Sequence, residues 1–538
     1  MDFLYWLWVL LLLIAVCVPL GLLYRYGQAP FDHWSKLGVN GPSPTIFLGN
    51  QLELFKPGGS MAAHTKWQKL YGQIYGIYNF RRPQLVVTDP EVLRRILVKD
   101  FNNFTDRYFS SNGSLINKEA KTGLFFSGGQ DWKRIRSIVS PTFSGSKLRG
   151  ILNHITICAD RLVTNLEVYA LRGGAADIGK IFSAFSLEVI ASTGFGVQVD
   201  SQKNLDEPLV AHGQSLFAFR RSLIAIFLSV GIFPDIFVPL LRSLNIGFFK
   251  KKDMAYFSDV VGKVVEERRK NPDQTHSDLL SLLINAEVEE DVNEHRESDT
   301  NETLGKGKMK QLSREEVIGQ ALIFFFAGFE TTYKTLQFMC YEIARNRHVQ
   351  RRLLDEIDET FGFSVKDEEQ VNFETVQSMP YMDAVIHETL RMYPPLTQIS
   401  RIPIQDTAIK GGIHLAANTG ILIPIINIQR DPSNHPNPNK FDPTRFIDPD
   451  TRKFRKVGSE SGVDVFNFLP FGFGPRQCVG ERLAMLEMKV ALIHIFRKLT
   501  LDPTTSERVG ISDIASILRP VKPIMLSPRV RPRFMVKE

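Results

Sequence analysis

The stretch Phe471-Gly472-Phe473-Gly474-Pro475-Arg476-Gln477-Cys478-Val479-Gly480 constrains this chain more than any other part of it. It sets one cysteine in a glycine-punctuated loop, two residues after an arginine and just before an apolar helical stretch. A thiolate there can accept backbone N–H bonds and feel the positive end of the following helix. Both effects lower the thiol pKa and prepare it as a metal ligand. The glycines let the backbone turn tightly and pass close to a flat cofactor, and Arg476 can pair with a carboxylate on that cofactor. The bland alternative is a small buried hydrophobe, the usual state of a lone cysteine in a helical protein.

The run F-x-x-G-x-R-x-C-x-G resembles the heme-thiolate loop of the cytochrome P450 family and matches it at every fixed position. The resemblance implies that Cys478 is the proximal axial ligand of heme iron and that Phe471 and Arg476 line the same cofactor. A thiolate in that position pushes electron density towards the metal and favours O–O cleavage.

The amino terminus carries a second constraint. Phe3 to Leu23 contains no charged residue and is dominated by Leu, Val, Ile and Trp. That is enough for one helical crossing of a bilayer, which needs about 20 residues. A cleaved signal peptide would have a basic cluster first and a small-x-small site after, and neither is present. Arg25 and Lys36 follow the run, so the positive-inside rule puts the bulk of the chain in the cytoplasm. Gly38-Val39-Asn40-Gly41-Pro42-Ser43-Pro44 is a stiff turn that aims a globular domain away from its anchor. It resembles the proline-rich hinge of microsomal family members, which implies the endoplasmic reticulum membrane, single-pass. We therefore divide the chain into a transmembrane anchor (1–24), a linker and hinge (25–45) and a catalytic domain (46–538). The acceptor patterns at Asn103, Asn112 and Asn301 stay unglycosylated in that topology.

Charge excludes little but guides partners. Lys+Arg 65 against Asp+Glu 58 gives +7, which suits an anionic membrane surface or an acidic protein partner. No compact basic tract with interleaved aromatics points to nucleic acid. The four cysteines, Cys17, Cys158, Cys340 and Cys478, are far apart and show no CxxC spacing, which argues against a disulfide framework.

Along the chain, Ile74–Phe80 and Gln84–Thr88 read as two strands joined at Arg81-Arg82-Pro83. From about 131 to 385 the periodicity is mostly helical. Glu287 to Lys310 is rich in charge and lacks aromatics, as a mobile surface loop does. Ser222 to Leu241 is apolar but broken by Pro234, Asp235 and Pro239. It reads as an interfacial segment rather than a second span. Lys250-Lys251-Lys252 is either a headgroup contact or a solvated charge run.

Ser313-Arg314-Glu315-Glu316 is a capping-box start. An apolar helix follows through Phe324 to Ala327-Gly328-Phe329-Glu330-Thr331-Thr332. Gly328 costs about 1 kcal/mol against Ala in a helix interior, so something passes close or the helix opens locally. The stretch resembles the family's oxygen-activation motif, [AG]-G-x-[DE]-T-[TS]. The resemblance implies that Thr331 hydrogen-bonds the oxygen under activation, Glu330 relays protons and Ala327 lies against the distal heme face. Otherwise Thr331 back-bonds to its own helix and Glu330 points to solvent.

Glu388-Thr389-Leu390-Arg391 puts opposite charges at i and i+3 among apolar flanks, before Pro394-Pro395 ends the helix. It matches the family's E-x-x-R motif, and Arg445 in Pro443-Thr444-Arg445-Phe446 matches that motif's usual third member. We assign the trio to folding of the cysteine-side scaffold. Trp132 and Arg136 match the family's W-x-x-x-R, whose indole N–H and guanidinium hold a heme propionate. Arg401 and Arg107 occupy further propionate-clamping positions in relatives; surface arginine is the alternative for both. Around Thr105, Trp132 and Ala327 the wording most resembles the clan holding the family 3 drug- and steroid-oxidising enzymes and thromboxane synthase. Gln398 departs from that group's frequent arginine, so substrate does not transfer by analogy.

The resemblance implies a mainly α fold with a small β region, the cytochrome P450 fold, preceded by one transmembrane helix. It implies heme b and a monooxygenase that takes O2 and a lipophilic substrate (steroid, fatty acid or xenobiotic). Electrons come from NADPH through a flavoprotein reductase, with cytochrome b5 as a further partner and membrane lipid around the anchor. Phe324, Leu396, Thr397 and Ile399 are candidate pocket residues. Two rivals stand beside this reading: a heme-thiolate isomerase or dehydratase acting on a peroxide, and a non-enzymatic heme sensor.

Overall fold

The computed structural model describes every residue except 1, 57, 109–115, 205–206, 217–221, 245, 248, 272–277, 287–310, 363–370, 460–461, 514–515 and 533–538. The charged segment 287–310 and the acceptor patterns at Asn112 and Asn301 lie outside the described residues. The chain divides into two compact units, one of residues 1–108, 219–244 and 399–424, the other of 109–218, 245–398 and 425–538.

The first unit is built on a four-stranded sheet in the order Ile74–Asn79, Arg82–Val87, Gly420–Ile423, Ile399–Arg401. Its first pair is antiparallel and its central pair, Arg82–Val87 with Gly420–Ile423, is parallel. The two expected strands are present, but the turn between them is shorter than the sequence suggests. Arg82 and Pro83 belong to the second strand, opposite Asn79 and Tyr78. The chain reverses at Phe80–Arg81, with Phe80 in the left-handed region at φ +54°. Pro83 lies one residue before the parallel pairing begins at Gln84, so its missing N–H costs that neighbour nothing. The helix Gly59–Tyr71 packs Ala63 and Trp67 against Tyr75, Ile77, Val86 and Leu422 of this sheet.

The N-terminal helix runs from Asp2 to Gln28 and is long and apolar enough to cross a membrane. The hinge after it is fastened to the sheet. Gly76 N donates to Asn40 O at 2.9 Å, and the Asn50 amide donates to Pro42 O and Ser43 O while its Oδ1 accepts from Tyr78 N. A Cβ on Gly41 would lie 1.9 Å from the Gly76 carbonyl oxygen, so only glycine fits there. The segment Ser222–Leu241 forms two short helices, Ser222–Ile232 and Pro234–Ser243, parted at Phe233. Neither is long enough to span a bilayer.

The second unit is mainly helical. Its longest helix, Arg314–Arg345, is buried over most of its length. Both expected hydrogen bonds of the capping box are made at its start: Glu316 N donates to Ser313 Oγ at 3.2 Å, and Ser313 N to Glu316 Oε2 at 2.9 Å. Ile178–Phe195, apolar enough to be mistaken for a membrane span, is instead buried and packs on this helix. Gly328 marks their crossing. A Cβ there would meet Ile190 Cδ1 at 2.8 Å, so a larger residue fits only if that side-chain tip moves. We expect Gly328→Val to lower stability by about 1–3 kcal/mol through overpacking. Thermal unfolding of the holoprotein checks this, and Ile190→Ala in the same chain should recover part of the loss. An unchanged unfolding midpoint for Gly328→Val would show that the crossing has room. A three-stranded antiparallel sheet, Ala176–Asp177, Met525–Val530 and Leu499–Pro503, closes this unit.

Candidate heme-thiolate site

The cysteine loop lies in the second unit and is built by its glycines. Gly472 and Gly474 take φ of +69° and +80°, angles that a side chain would strain. The turn is closed by Cys478 N donating to Phe471 O at 2.9 Å and by Gln477 N donating to Gly474 O at 2.9 Å. Gly480 then caps the helix Glu481–Lys498, so Cys478 stands two residues before the positive end of a helix dipole. Its thiol is exposed, whereas Cys158 and Cys340 are buried; among the described residues no disulfide forms. Burial pushes the Cys158 thiol up to about 12 and the Cys340 thiol upwards as well. Neither is suited to act as a thiolate.

Three of the expected cofactor residues gather around this loop. Arg136, on the helix Gly129–Val139, donates from Nη1 to Gln477 O at 2.9 Å. Burial pulls its guanidinium below the ordinary range, and the neighbouring Cys478 sulfur partly offsets that pull. Arg476 is buried, with its guanidinium carbon 4.5 Å from the centre of the Trp132 ring, within cation–π range. Its Nη2 donates to Ser127 O at 2.7 Å. Phe471 is half-buried beside them in the chain. A sulfur beside the Arg136 guanidinium, with the Arg476 guanidinium stacked on Trp132 nearby in the chain, on a backbone with no Cβ at two positions, suits an anionic flat macrocycle bound through its metal.

Arg107 and Arg401 lie in the first unit. An isolated bridge between Asp106 and Ile402, with Ile402 N donating to Asp106 O at 3.0 Å, places them on neighbouring segments. Arg401 is 1 % exposed. Its Nη1 donates to Ser400 O at 2.8 Å, and its Nε has no hydrogen-bond partner. Burial, reinforced by the charge of Arg107, pulls this guanidinium down to about 9. Among the described residues no carboxylate forms a salt bridge with Arg401. A buried cation without a counter-charge is costly, and an acid group such as a propionate is what Arg401 lacks. Ile399, a candidate pocket residue, is half-buried in the same edge strand.

The oxygen-activation residues sit on the helix Arg314–Arg345. Thr331 Oγ1 donates to Ala327 O at 2.6 Å, the back-bonded arrangement weighed above. Glu330 does not point to solvent. It is buried, with Oε1 3.4 Å from Lys334 Nζ and 3.2 Å from Arg519 Nη2. Phe324 is buried about two turns earlier, its ring centre 5.9 Å from that of Phe143. Leu396 forms a bridge with Ile517, and Thr397 N donates to Ser516 O at 2.9 Å. Thr397 is buried with no partner for its hydroxyl oxygen. Gln398 Nε2 donates to Ser516 Oγ at 2.7 Å.

The scaffold trio is assembled in the core. Glu388 and Arg391 are fully buried and paired two-fold, Nε to Oε2 at 2.7 Å and Nη2 to Oε1 at 2.8 Å. Arg391 Nη1 also donates to Gln429 O at 3.0 Å. Arg445 Nε stands 3.4 Å from Glu388 Oε1, partly exposed.

Two features were not seen in the sequence. One is the Lys334–Glu330–Arg519 cluster. The other is Ser186, whose hydroxyl lies 2.8 Å from Glu487 Oε1 on the helix after the cysteine loop and 3.4 Å from Gly328 O on the long helix. Burial pushes the Glu487 carboxyl up to about 8, so it carries a proton at neutral pH. A lysine one turn after an acid was the available signal for the first feature; the second had none.

A family model described as Cytochrome P450 matches residues 39–528. Cytochrome P450 3A29 of Sus scrofa is 33% identical over 529 residues, covering 98% of this chain and 96% of that relative. Cytochrome P450 3A12 of Canis lupus familiaris is 33% identical over 522 residues, 97% of this chain and 96% of the relative. Cytochrome P450 3A31 of Mesocricetus auratus is 34% identical over 528 residues, with 98% and 96% covered.

Proposed function

This chain belongs to the cytochrome P450 family and is a monooxygenase of that family, and from this premise we propose that it inserts one atom of O2 into a lipophilic substrate, a steroid, fatty acid or xenobiotic. Electrons come from NADPH through a flavoprotein reductase, with cytochrome b5 as a second donor. The observation that carries the reading is the exposed Cys478 thiol on its closed glycine loop, beside Arg136 and before a helix N-terminus.

Heme b, when bound, supplies the oxidising chemistry. The chain's own residues hold and shape it. Cys478 would give the thiolate, and Phe471, whose carbonyl accepts from Cys478 N, closes its loop. Trp132, Arg136 and Arg476, gathered in the second unit, would receive an acid group of it. Thr331 and Glu330 hold and pass protons, the hydroxyl from Oγ1 and the acid from its carboxyl. Ala327, Phe324, Leu396 and Thr397 would give apolar and small surfaces for a lipophilic substrate. Glu388, Arg391 and Arg445 keep the cysteine-side scaffold in register.

Residues 1–24 act as the anchor in the endoplasmic reticulum membrane, 25–45 as the hinge and 46–538 as one catalytic domain on the cytoplasmic side. A net charge of +7 suits an acidic reductase face.

The test is reconstitution of the holoprotein with reductase and NADPH, using substrates chosen by their spectral shift. We expect product that requires both NADPH and O2. Rearrangement of a peroxide at full rate without NADPH would instead mark an isomerase.

A further inference from the structure

The acid next to Thr331 is engaged by two cations. Glu330 Oε1 lies 3.4 Å from Lys334 Nζ, one turn further along the helix, and 3.2 Å from Arg519 Nη2 in the strand Arg519–Pro520. Glu330 and Lys334 are both buried. Taking each ion out of water costs several kcal/mol unless its partners compensate. Here compensation is incomplete, because among the described residues Glu330 Oε2 and Arg519 Nε have no hydrogen-bond partner. A cluster kept for stability alone would saturate these atoms or give way to apolar side chains. Successive helical residues point about 100° apart, and Thr331 gives its hydroxyl hydrogen to Ala327 O. The acid is thus turned towards its cations while the hydroxyl is tied to the backbone.

Lys334 and Arg519 are the charged groups that act on Glu330 among the described residues, with the Tyr333 phenol adjacent in the helix. Burial pushes the Glu330 carboxyl up, and the two cations pull it back. Burial pulls Lys334 down to about 8, so near neutral pH it is close to its own titration. Arg519 is also fastened to the proposed substrate-contact loop. Leu518 N donates to Pro395 O at 3.1 Å and Thr397 N to Ser516 O at 2.9 Å, and Gln398 Nε2 to Ser516 Oγ at 2.7 Å. One hydrogen-bonded strip therefore joins residues 395–398 to a cation on the acid.

We propose that Lys334 and Arg519 are positioning residues for proton delivery, clamping Glu330 as a carboxylate on the side away from Thr331 and setting the pH at which it takes up the proton it passes on. The inference rests on the reading that Glu330 relays protons. It has a further consequence: a substrate that shifts residues 395–398 moves the Arg519 end of the clamp.

The experiment uses the reconstituted holoenzyme and reads hydrogen peroxide released per NADPH consumed against pH, which needs no identified substrate. Variants are compared per unit of bound heme. In Lys334→Met and Arg519→Gln the carboxyl loses one cation, so the pH midpoint of this ratio should rise by roughly one unit or more. Lys334→Arg should restore the wild-type profile, and Lys334→Met should change nothing further in a Glu330→Gln background. If Glu330→Gln alters the profile but Lys334→Met and Arg519→Gln leave the midpoint in place, the clamp is overturned while the proton relay stands. If Glu330→Gln itself leaves ratio and profile unchanged, the relay reading fails instead. Should Lys334→Met not yield holoprotein, Arg519→Gln carries the same prediction, its side chain being 21% exposed and cheaper to change.

Discussion

Cys478→Ala should abolish substrate oxygenation, by at least about a thousandfold, or some 4 kcal/mol of barrier, while leaving the helical content intact. The expectation follows from how the four thiols are placed. Cys17 lies in the N-terminal helix, and Cys158 and Cys340 are buried in the second unit with thiols that resist ionisation. Of the four, only Cys478 combines exposure, a following helix N-terminus and the neighbouring Arg136 guanidinium. The loop itself is held by backbone hydrogen bonds and two left-handed glycines, and none of these needs the sulfur. Turnover with reductase and NADPH, beside far-ultraviolet circular dichroism, separates loss of ligand from loss of fold. Wild-type turnover in Cys478→Ala would mean that another residue serves the iron.

Arg391→Met should be the most damaging substitution outside the loop, and its effect should be on folding. Removing one partner of a buried pair costs about 3–5 kcal/mol, against a total of about 5–15 kcal/mol for most folded chains. Arg391 and Glu388 are both wholly inaccessible, so methionine would strand the carboxylate without its two-fold partner. It would also orphan the carbonyls of Gln429 and Pro438 that the guanidinium now satisfies. We expect little soluble protein and no heme retention. Arg445→Met should be milder, about 1 kcal/mol, because its contact to Glu388 is longer at 3.4 Å and its side chain is partly hydrated. Yield of soluble holoprotein and the thermal midpoint check both. Equal, small losses for the two variants would show that the buried pair is not what holds this scaffold.

What the sequence revealed was whatever depends on neighbours in the chain. The capping box at Ser313 is a contact across three residues, and it forms as expected. The strand pair near residue 80 follows from alternation, but its turn was misplaced because proline usually breaks a strand. Pro83 sits just outside the parallel ladder, where it does no harm. Gly328 was legible as an anomaly without its reason, since Ile190 lies far away in sequence. The same distance hid Arg519 from Glu330 and Glu487 from Ser186. Side-chain partners across elements are set by packing of helices whose crossings no local pattern encodes.

The most direct test is the absorption spectrum of the reduced, carbon monoxide-treated holoprotein. A heme held by a thiolate would give a Soret band displaced far to the red of that given by a histidine ligand. We expect the displaced band in the wild type and its loss in Cys478→Ala. A histidine-type band in the wild type, or no heme at all, would contradict it.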